Sequence, residues 1–549
     1  MSILPPIVAI ILAIVTRRAV LSLFVGIFAG ALITAGWNPV TAVHDFFEVH
    51  LWPTLVDPGK MRVFAFTLLM GAMVGVISRG GGMQGLVRKL SPYARTRRGG
   101  QLTTWALGWA IFFDDYANTI LLGSTLRPLC DRLRISREKL AYLVDSTAAP
   151  IASLAIISTW VAVEIDYIQD GLVEIGAEES VSGLELFVAS IPYRFYVISA
   201  LLFVPIVAIL GREFGPMRNA EEACLRGEPT AGAVDVDGDE ASVDSIDPEK
   251  ARWYNAIIPI VVTLGVVIWL LYVNGTQSLL SDGVMEFGLR DVVGAADSTI
   301  ALQYGSLAGL VVAGLLCRVQ GLLDFESILK AAGHGAKVVL PAIAILWCAS
   351  TLSRQTGSKS VTGEPSTAYE YQDHRLYTGS YLANLILPSD GEAAVDSMTV
   401  KLMPTAVFVL AAVLSFATGT SFGTMGILMP MVIGLAGPLL SGSDGAVDPS
   451  NPILLATVAS VLAGAVFGDH CSPISDTTIL SSQASGCDHM AHVVTQMPYA
   501  VVVGIFTVLL GTLPIGWGAP VWILVLTQVL VLIGFVRLFG QKMTESNQG

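Results

Sequence analysis

The chain has 549 residues, of which 53% are hydrophobic and only 14% charged, with a mean hydropathy of +0.66. A soluble globular protein carries about 25% charged residues, so a string of soluble domains is excluded and an all-α polytopic membrane protein is expected. The formal charge of −13 offers no basic surface for nucleic acid, and no nucleic-acid partner is expected. From the N-terminus, Met1–Thr16 is apolar with no basic stretch ahead of it, and reads as a short first membrane helix and not a cleaved signal. Further apolar spans lie near 19–36, 62–78, 139–163, 195–211, 254–273, 299–317, 336–353, 493–515 and 519–537. Each is long enough, or nearly so, to cross about 30 Å of hydrocarbon. These runs are continuous, whereas barrel strands alternate over about 10 residues. Thr41–Leu55, with a charged face and aromatic residues, reads as an interfacial helix. The six cysteines form no CxxC pair and read as packing residues, with neither a disulfide framework nor a metal site implied.

The stretch 212–252 is rich in Asp, Glu, Gly and Ser and reads as an exposed acidic cytoplasmic linker. It separates a first membrane repeat, 1–211, from a second, 253–515. Residues 516–549 add one transmembrane helix and a tail. The halves are related. Ser146–Thr159 aligns with His470–Ser482 across one gap, Val76–Gly80 with Thr351–Gln355, and Ile3–Val8 with Ile257–Val261, in the same order. With the linker placed in the cytoplasm, 23 of the 31 Lys and Arg residues fall on that side. That threading suits the cytoplasmic (inner) membrane of a bacterium.

Three apolar regions, 101–127, 399–440 and 451–485, are interrupted by polar residues at their middles. Segment 101–127 is flanked by Arg95, Arg97 and Arg98 on one side and by Arg127, Arg132 and Arg134 on the other. It should therefore enter and leave on the cytoplasmic side, as a re-entrant hairpin with its tip near Asp114–Asn118. Segment 399–440 has Asp390, Glu392 and Asp396 before it and Asp444 and Asp448 after it, with Lys401 the one dissenting charge. It should dip in from outside, with its tip at Gly419–Ser421. The expected architecture is two inverted-topology repeats, each with a re-entrant hairpin and a broken transmembrane helix, and a substrate site near the bilayer midplane.

Asp114 and Asp115 sit together at the centre of the first hairpin. One Asp at mid-helix costs roughly 2.5–3.5 kcal/mol even on the lenient insertion scale, so the pair is expected to line a cavity, bind a cation or exchange a proton. Asn118 and Thr119 add neutral oxygens of the kind hard cations take. Capping of a half-helix by one of the two acids is the plainer alternative. In the second half, Pro473 breaks the helix and releases carbonyls. Asp469 and Asp476 bracket the unwound segment, with Ser472 and Ser475 inside it. His470 titrates near neutral pH and is a candidate proton relay, or a membrane histidine that is simply hydrogen-bonded. A zinc site at Asp469, His470 and Cys471 is not expected, since a fourth partner is missing. The first-half counterpart places Asp145 before Pro150, where it caps the helix or binds the ion. Thr420 and Ser421 bring hydroxyls to the second tip, for ligand contact or for close helix packing.

The segments at 112–123 (FFDDYANTILLG), 415–430 (SFATGTSFGTMGILMP) and 467–482 (FGDHCSPISDTTILSS) resemble the NhaC-type sodium/proton antiporters of the ion transporter superfamily. The resemblance covers roughly 1–211 and 254–515. It implies inverted repeats, cation-coupled secondary transport and often a dimer, so a homodimer in the lipid bilayer is compatible with it. The leading expectation is exchange of Na⁺ for H⁺ with no cofactor and no enzymatic step. Na⁺ would sit at Asp114, Asp115, Asp469 and Asp476, and the neutral residues above would complete its shell. The alternative is a Na⁺-coupled transporter of a small amino acid or carboxylate, with Thr420 and Ser421 holding the organic group at a half-helix N-terminus. An intramembrane aspartyl protease would leave the repeat and the hydroxyl-rich breaks without a role. A channel would not need two titratable motifs, and no GxxxxGK[ST] loop points to an ATP-driven pump.

Overall fold

The computed structural model describes residues 3–16, 18–90, 94–112, 114–156, 158–177, 180–228, 250–281, 283, 285, 287–288, 292, 295–356, 374–376, 398–440, 447–473 and 475–543. Among them, eight helices are long and apolar enough to cross a membrane. The chain opens with α1 (Leu4–Thr16) and α2 (Ala19–Thr34), which pack on each other. At 13 and 16 residues they fall short of the roughly 20 that a span needs, α1 matching the short helix expected at Met1–Thr16. Next, α3 (Pro39–Asp45), a π turn at Phe46–Leu51 and α4 (Trp52–Leu55) run on as one helical stretch where an interfacial helix was expected. The remainder of the first half is α5 (Pro58–Arg79), α6 (Gly82–Leu90), α7 (Arg97–Ala110), α8 (Asp115–Arg132), α9 (Arg137–Asp145), α10 (Ala149–Leu154), α11 (Val161–Glu174), α12 (Gly183–Ser190) and α13 (Phe195–Leu210).

The stretch 139–163, apolar enough for one span but expected to break near Pro150, is broken at 146–148 and again after Leu154. Window hydropathy registers composition and not the hydroxyls of Ser146, Thr147, Ser158 and Thr159, which offer the backbone other partners. The acidic stretch also differs from its sequence reading where it begins. Arg212–Glu213 (β1) pairs antiparallel with Gln541–Lys542 (β2), and α14 (Gly215–Arg226) follows, with Glu213 and Glu221 buried. Arg97 and Lys139 supply the positive partners that allow this burial.

The second half comprises α15 (Tyr254–Ser281), α16 (Ser298–Val319), α17 (Phe325–Val338), α18 (Leu340–Thr356), α19 (Met398–Thr418), α20 (Ser421–Leu440), α21 (Pro452–Cys471), α22 (Asp476–Ser485), α23 (His489–Thr507) and α24 (Val521–Phe539). The polar segment 358–378, an insertion by its sequence, lies, apart from His374–Leu376, outside the described residues. Both halves contain a helical hairpin, α7–α8 and α19–α20, and an interrupted helix, α9–α10 and α21–α22, as the polar interruptions anticipated. At the centre lies α21, buried from Leu454 to Cys471 except at Phe467, with α10, α12, α13, α19, α20 and α23 around it. Gly468 permits the closest approach, because a Cβ there would lie 2.3 Å from the carbonyl oxygen of Ala412 in α19. By contrast α24 exposes Trp522, Ile523, Leu526 and Leu530, an apolar face suited to lipid.

Candidate functional site

α7 ends at Ala110 and α8 begins with Asp115, so the first hairpin turns between them. Acidic side chains suit a helix N-terminus, and both are buried, Asp114 at 4% exposure and Asp115 at 3%. The Asn118 amide fixes the turn. Its Nδ2 donates to the carbonyls of Gly108 at 3.1 Å and Ile111 at 3.3 Å, at the C-terminal end of α7 where the Ile111 N–H also reaches Gly108 O, and to that of Thr147 at 3.0 Å. Three acceptors around the NH₂ settle the amide orientation. Oδ1 therefore points elsewhere; it is buried and finds no hydrogen-bond partner among the described residues, as does Thr119 Oγ1.

Through Thr147 the hairpin is joined to the first helix break. There α9 ends at Asp145, and Pro150 sits in the first turn of α10, where a missing N–H costs nothing. Asp145 Oδ2 accepts from Gln496 Nε2 at 2.5 Å and from Thr478 Oγ1 at 3.2 Å, with His492 Nε2 3.4 Å away. His492 Nε2 also lies 3.1 Å from Ser481 Oγ. The second break is tied in by the same residues. Gln496 Nε2 reaches the carbonyl of His470 at 2.6 Å, and the His470 ring spans Ser146 Oγ at 3.1 Å and Tyr196 Oη at 2.8 Å. Asp469 Oδ2 accepts from Thr477 Oγ1 at 3.3 Å, and Thr477 in turn lies 3.0 Å from Ser475 Oγ. Ser472 Oγ donates to the carbonyl of Phe416 at 2.8 Å.

Of the residues singled out from sequence, Asn118, Asp145, Asp469, His470 and Ser475 thus belong to one hydrogen-bonded region spanning both breaks. Asp114, Asp115 and Thr119 occupy the first turns of α8 beside it. Asp476 opens α22, on the far side of the break from Asp469, and its side chain lies outside the description. Ser472 ties the second break to α19. At the second tip, Thr420 accepts from the Gly423 N–H at 3.3 Å and so caps α20, while Ser421 Oγ donates to Ala465 O at 3.3 Å. Among the described residues no three His, Cys, Asp or Glu side chains converge on one metal position. A cation site here would use one or two carboxylates together with neutral oxygens.

The sequence reading missed several buried groups. His492 and Gln496, four residues apart on one face of α23, both meet Asp145. Arg194, fully buried, donates to Glu164 at 2.8 Å and to Ser153 Oγ at 3.0 Å, also meets the Ser153 carbonyl, and lies over the Phe187 ring. It locks α10, α11 and α12 beside the first break. Lys139 pairs with Glu213 at 2.9 Å between the rings of Tyr142 and Tyr499. Lys60 bridges Asp166 at 2.7 Å and Asp170 at 2.6 Å in a cleft of about 390 Å³. The available signal was the charge within otherwise apolar runs, as at Glu164, Asp166 and Asp170.

Buried carboxylates at a hairpin tip and beside two interrupted membrane helices suit a multi-pass secondary transporter, and the family and named relatives that match are transporters, not enzymes. The chain belongs to the Na⁺/H⁺ antiporter family, whose sequence profile matches residues 151–355 and 392–517. The NhaC-type resemblance is borne out. The second break lies within the matched segments and the first hairpin ahead of them. An uncharacterized protein of Haemophilus influenzae is 30% identical over 513 residues, 92% of this chain and 89% of its own length. Two similarities are more local. An uncharacterized Na⁺/H⁺ antiporter of H. influenzae is 43% identical over 17% of this chain and 18% of its own. The malate-2H⁺/Na⁺-lactate antiporter of Bacillus subtilis is 29% identical over 24% and 26%. The fold is similar to that of Neisseria gonorrhoeae MtrF, described as illuminating a class of antimetabolite efflux pumps. The TM-score is 0.54 at 12% identity, covering 94% of both chains.

Proposed function

We propose that this transporter exchanges Na⁺ for H⁺ at the first hairpin tip. The observation that carries the reading is the pair of unpartnered buried oxygens, Asn118 Oδ1 and Thr119 Oγ1, one turn along α8 from the buried Asp114 and Asp115. Neutral oxygens next to carboxylates form a hard-cation donor set. A carboxylate must lose its proton to bind Na⁺, so the two ions compete for the same groups and exchange follows without a separate proton site. Asp145 and Asp469, at the two breaks, are the further acids of the site. Ser475 lies within the same region, and His470 braces the breaks against each other. Movement of hairpins and interrupted helices against the other spans would alternate access.

Exchange of organic ions by the same scaffold is the second reading, favoured by the name of the B. subtilis relative. In proteoliposomes loaded with a pH-sensitive dye, external Na⁺ alone should drive proton efflux, and Asp114→Asn and Asp115→Asn should each abolish it. No proton movement with Na⁺ or Li⁺, but Na⁺-dependent exchange of labelled malate or lactate, would replace the first reading with the second.

A further inference from the structure

At the outer ends of the first hairpin, a cleft of about 630 Å³ is lined by Arg95, Arg97, Arg98, Arg132, Arg134 and Glu213. The two acids at hand are already matched, Glu213 by the buried Lys139 and Glu221 by Arg97. The side chains of Arg98 and Arg132 form no ion pair or hydrogen bond with another described residue. The guanidinium of Arg98 folds over Gly211, whose φ of +61° and lack of a Cβ leave room for it 3.3 Å from where a Cβ would stand.

Arg134 adds an independent mark. It closes α8 in the left-handed region at φ +52°, with Ile135 N bonded to Cys130 O and Arg134 N to Asp131 O. That is the helix-ending motif in which glycine is preferred. An arginine there accepts roughly 1–2 kcal/mol of backbone strain. Its side chain reaches the Leu225 carbonyl at 3.4 Å, and its own carbonyl accepts from Arg97. Thr96 caps α7 at the same place, so the first N–H groups of that helix add to the positive field.

In the threading that puts 23 of the 31 Lys and Arg residues inside, this end of the hairpin is cytoplasmic, where basic pockets between membrane helices take anionic head groups. We propose that the cleft binds a phosphate group, from an anionic phospholipid or a soluble phosphate. The guanidinium forks of Arg98 and Arg132 match phosphate oxygens. Bound phosphate would tie the outer ends of α7 and α8 to the end of α13, steadying the hairpin that bears Asp114 and Asp115.

The test is thermal unfolding of the full-length protein in micelles doped with phosphatidylglycerol or with phosphatidylcholine, and separately with inorganic phosphate at constant ionic strength. With phosphatidylglycerol at roughly 100 times its Kd, the midpoint should rise by about 3–5 °C over phosphatidylcholine. The rise should vanish in the Arg98→Gln/Arg132→Gln variant and persist in Arg318→Gln/Lys330→Gln, two basic residues elsewhere on the same face. A rise with inorganic phosphate alone, lost in the same variant, assigns the soluble source. Equal shifts in wild type and the Arg98→Gln/Arg132→Gln variant, or no shift with either phosphate source, would overturn the proposal. Native mass spectrometry supplies a second readout, in which the wild type retains one more phosphatidylglycerol than the double variant. The outcome does not depend on which ion is transported.

Discussion

Replacing Arg194 by Met removes the positive partner of a carboxylate from which water is wholly excluded. Both Arg194 and Glu164 are fully buried, 2.8 Å apart, so the remaining carboxylate cannot be rescued by solvent. Breaking such a pair costs about 3–5 kcal/mol. The Ser153 carbonyl also loses its guanidinium donor, which adds about 1–3 kcal/mol for an unsatisfied buried acceptor. Glu164→Leu alone strands the arginine and should cost about 3–5 kcal/mol by the same argument. In Arg194→Met/Glu164→Leu no uncompensated charge remains, and only the Ser153 loss persists, about 1–3 kcal/mol. The double variant should therefore be more stable than Arg194→Met by about 3–5 kcal/mol. Denaturant unfolding in mixed micelles, followed by circular dichroism, would place the four proteins in order. A double variant that falls by the sum of the two single losses would refute the idea that the pair is held by charge compensation.

Further expectations rest on separate contacts. Asn118→Ala should weaken the apparent Na⁺ affinity about tenfold, near 1.4 kcal/mol, and should also lower the unfolding midpoint because it uncaps α7; Na⁺-dependent proton release measures the first effect. Lys60→Met leaves Asp166 and Asp170 without their shared cation and should destabilise by about 3 kcal/mol or more, whereas Lys60→Arg should retain most of the stability; thermal midpoints decide. Gly468→Ala drives a Cβ against the Ala412 carbonyl and should cost about 1–3 kcal/mol by overpacking, read as a lower unfolding midpoint.

Much of the architecture was legible because charge and proline inside apolar runs are costly in a membrane. Asp114–Asp115 located the first hairpin tip, Gly419–Ser421 the second, and Pro473 the break after α21. The cross-connections were not legible. Ser146 and His470 lie 324 residues apart, and Asp145 and Gln496 351, and no local pattern announces such pairs. Asn118 was expected to offer an oxygen, but that its NH₂ would also cap α7 depends on the turn geometry. The second break within 139–163, after Leu154, shows where hydropathy alone overstates continuity. Glu213 and Glu221 were assigned to an exposed linker by composition. Their burial depends on Lys139 and Arg97, which approach only in the folded chain.

The most direct measurement is proton release on Na⁺ addition to the purified protein in unbuffered detergent solution, where no gradient or leak intervenes. The account predicts that Na⁺ saturably releases protons from the wild type. Release should be lost in Asp114→Asn/Asp115→Asn and shifted to higher Na⁺ concentration in Asn118→Ala. Na⁺ binding without proton release, or release unchanged in the Asp114→Asn/Asp115→Asn variant, would contradict a shared site at the first hairpin tip.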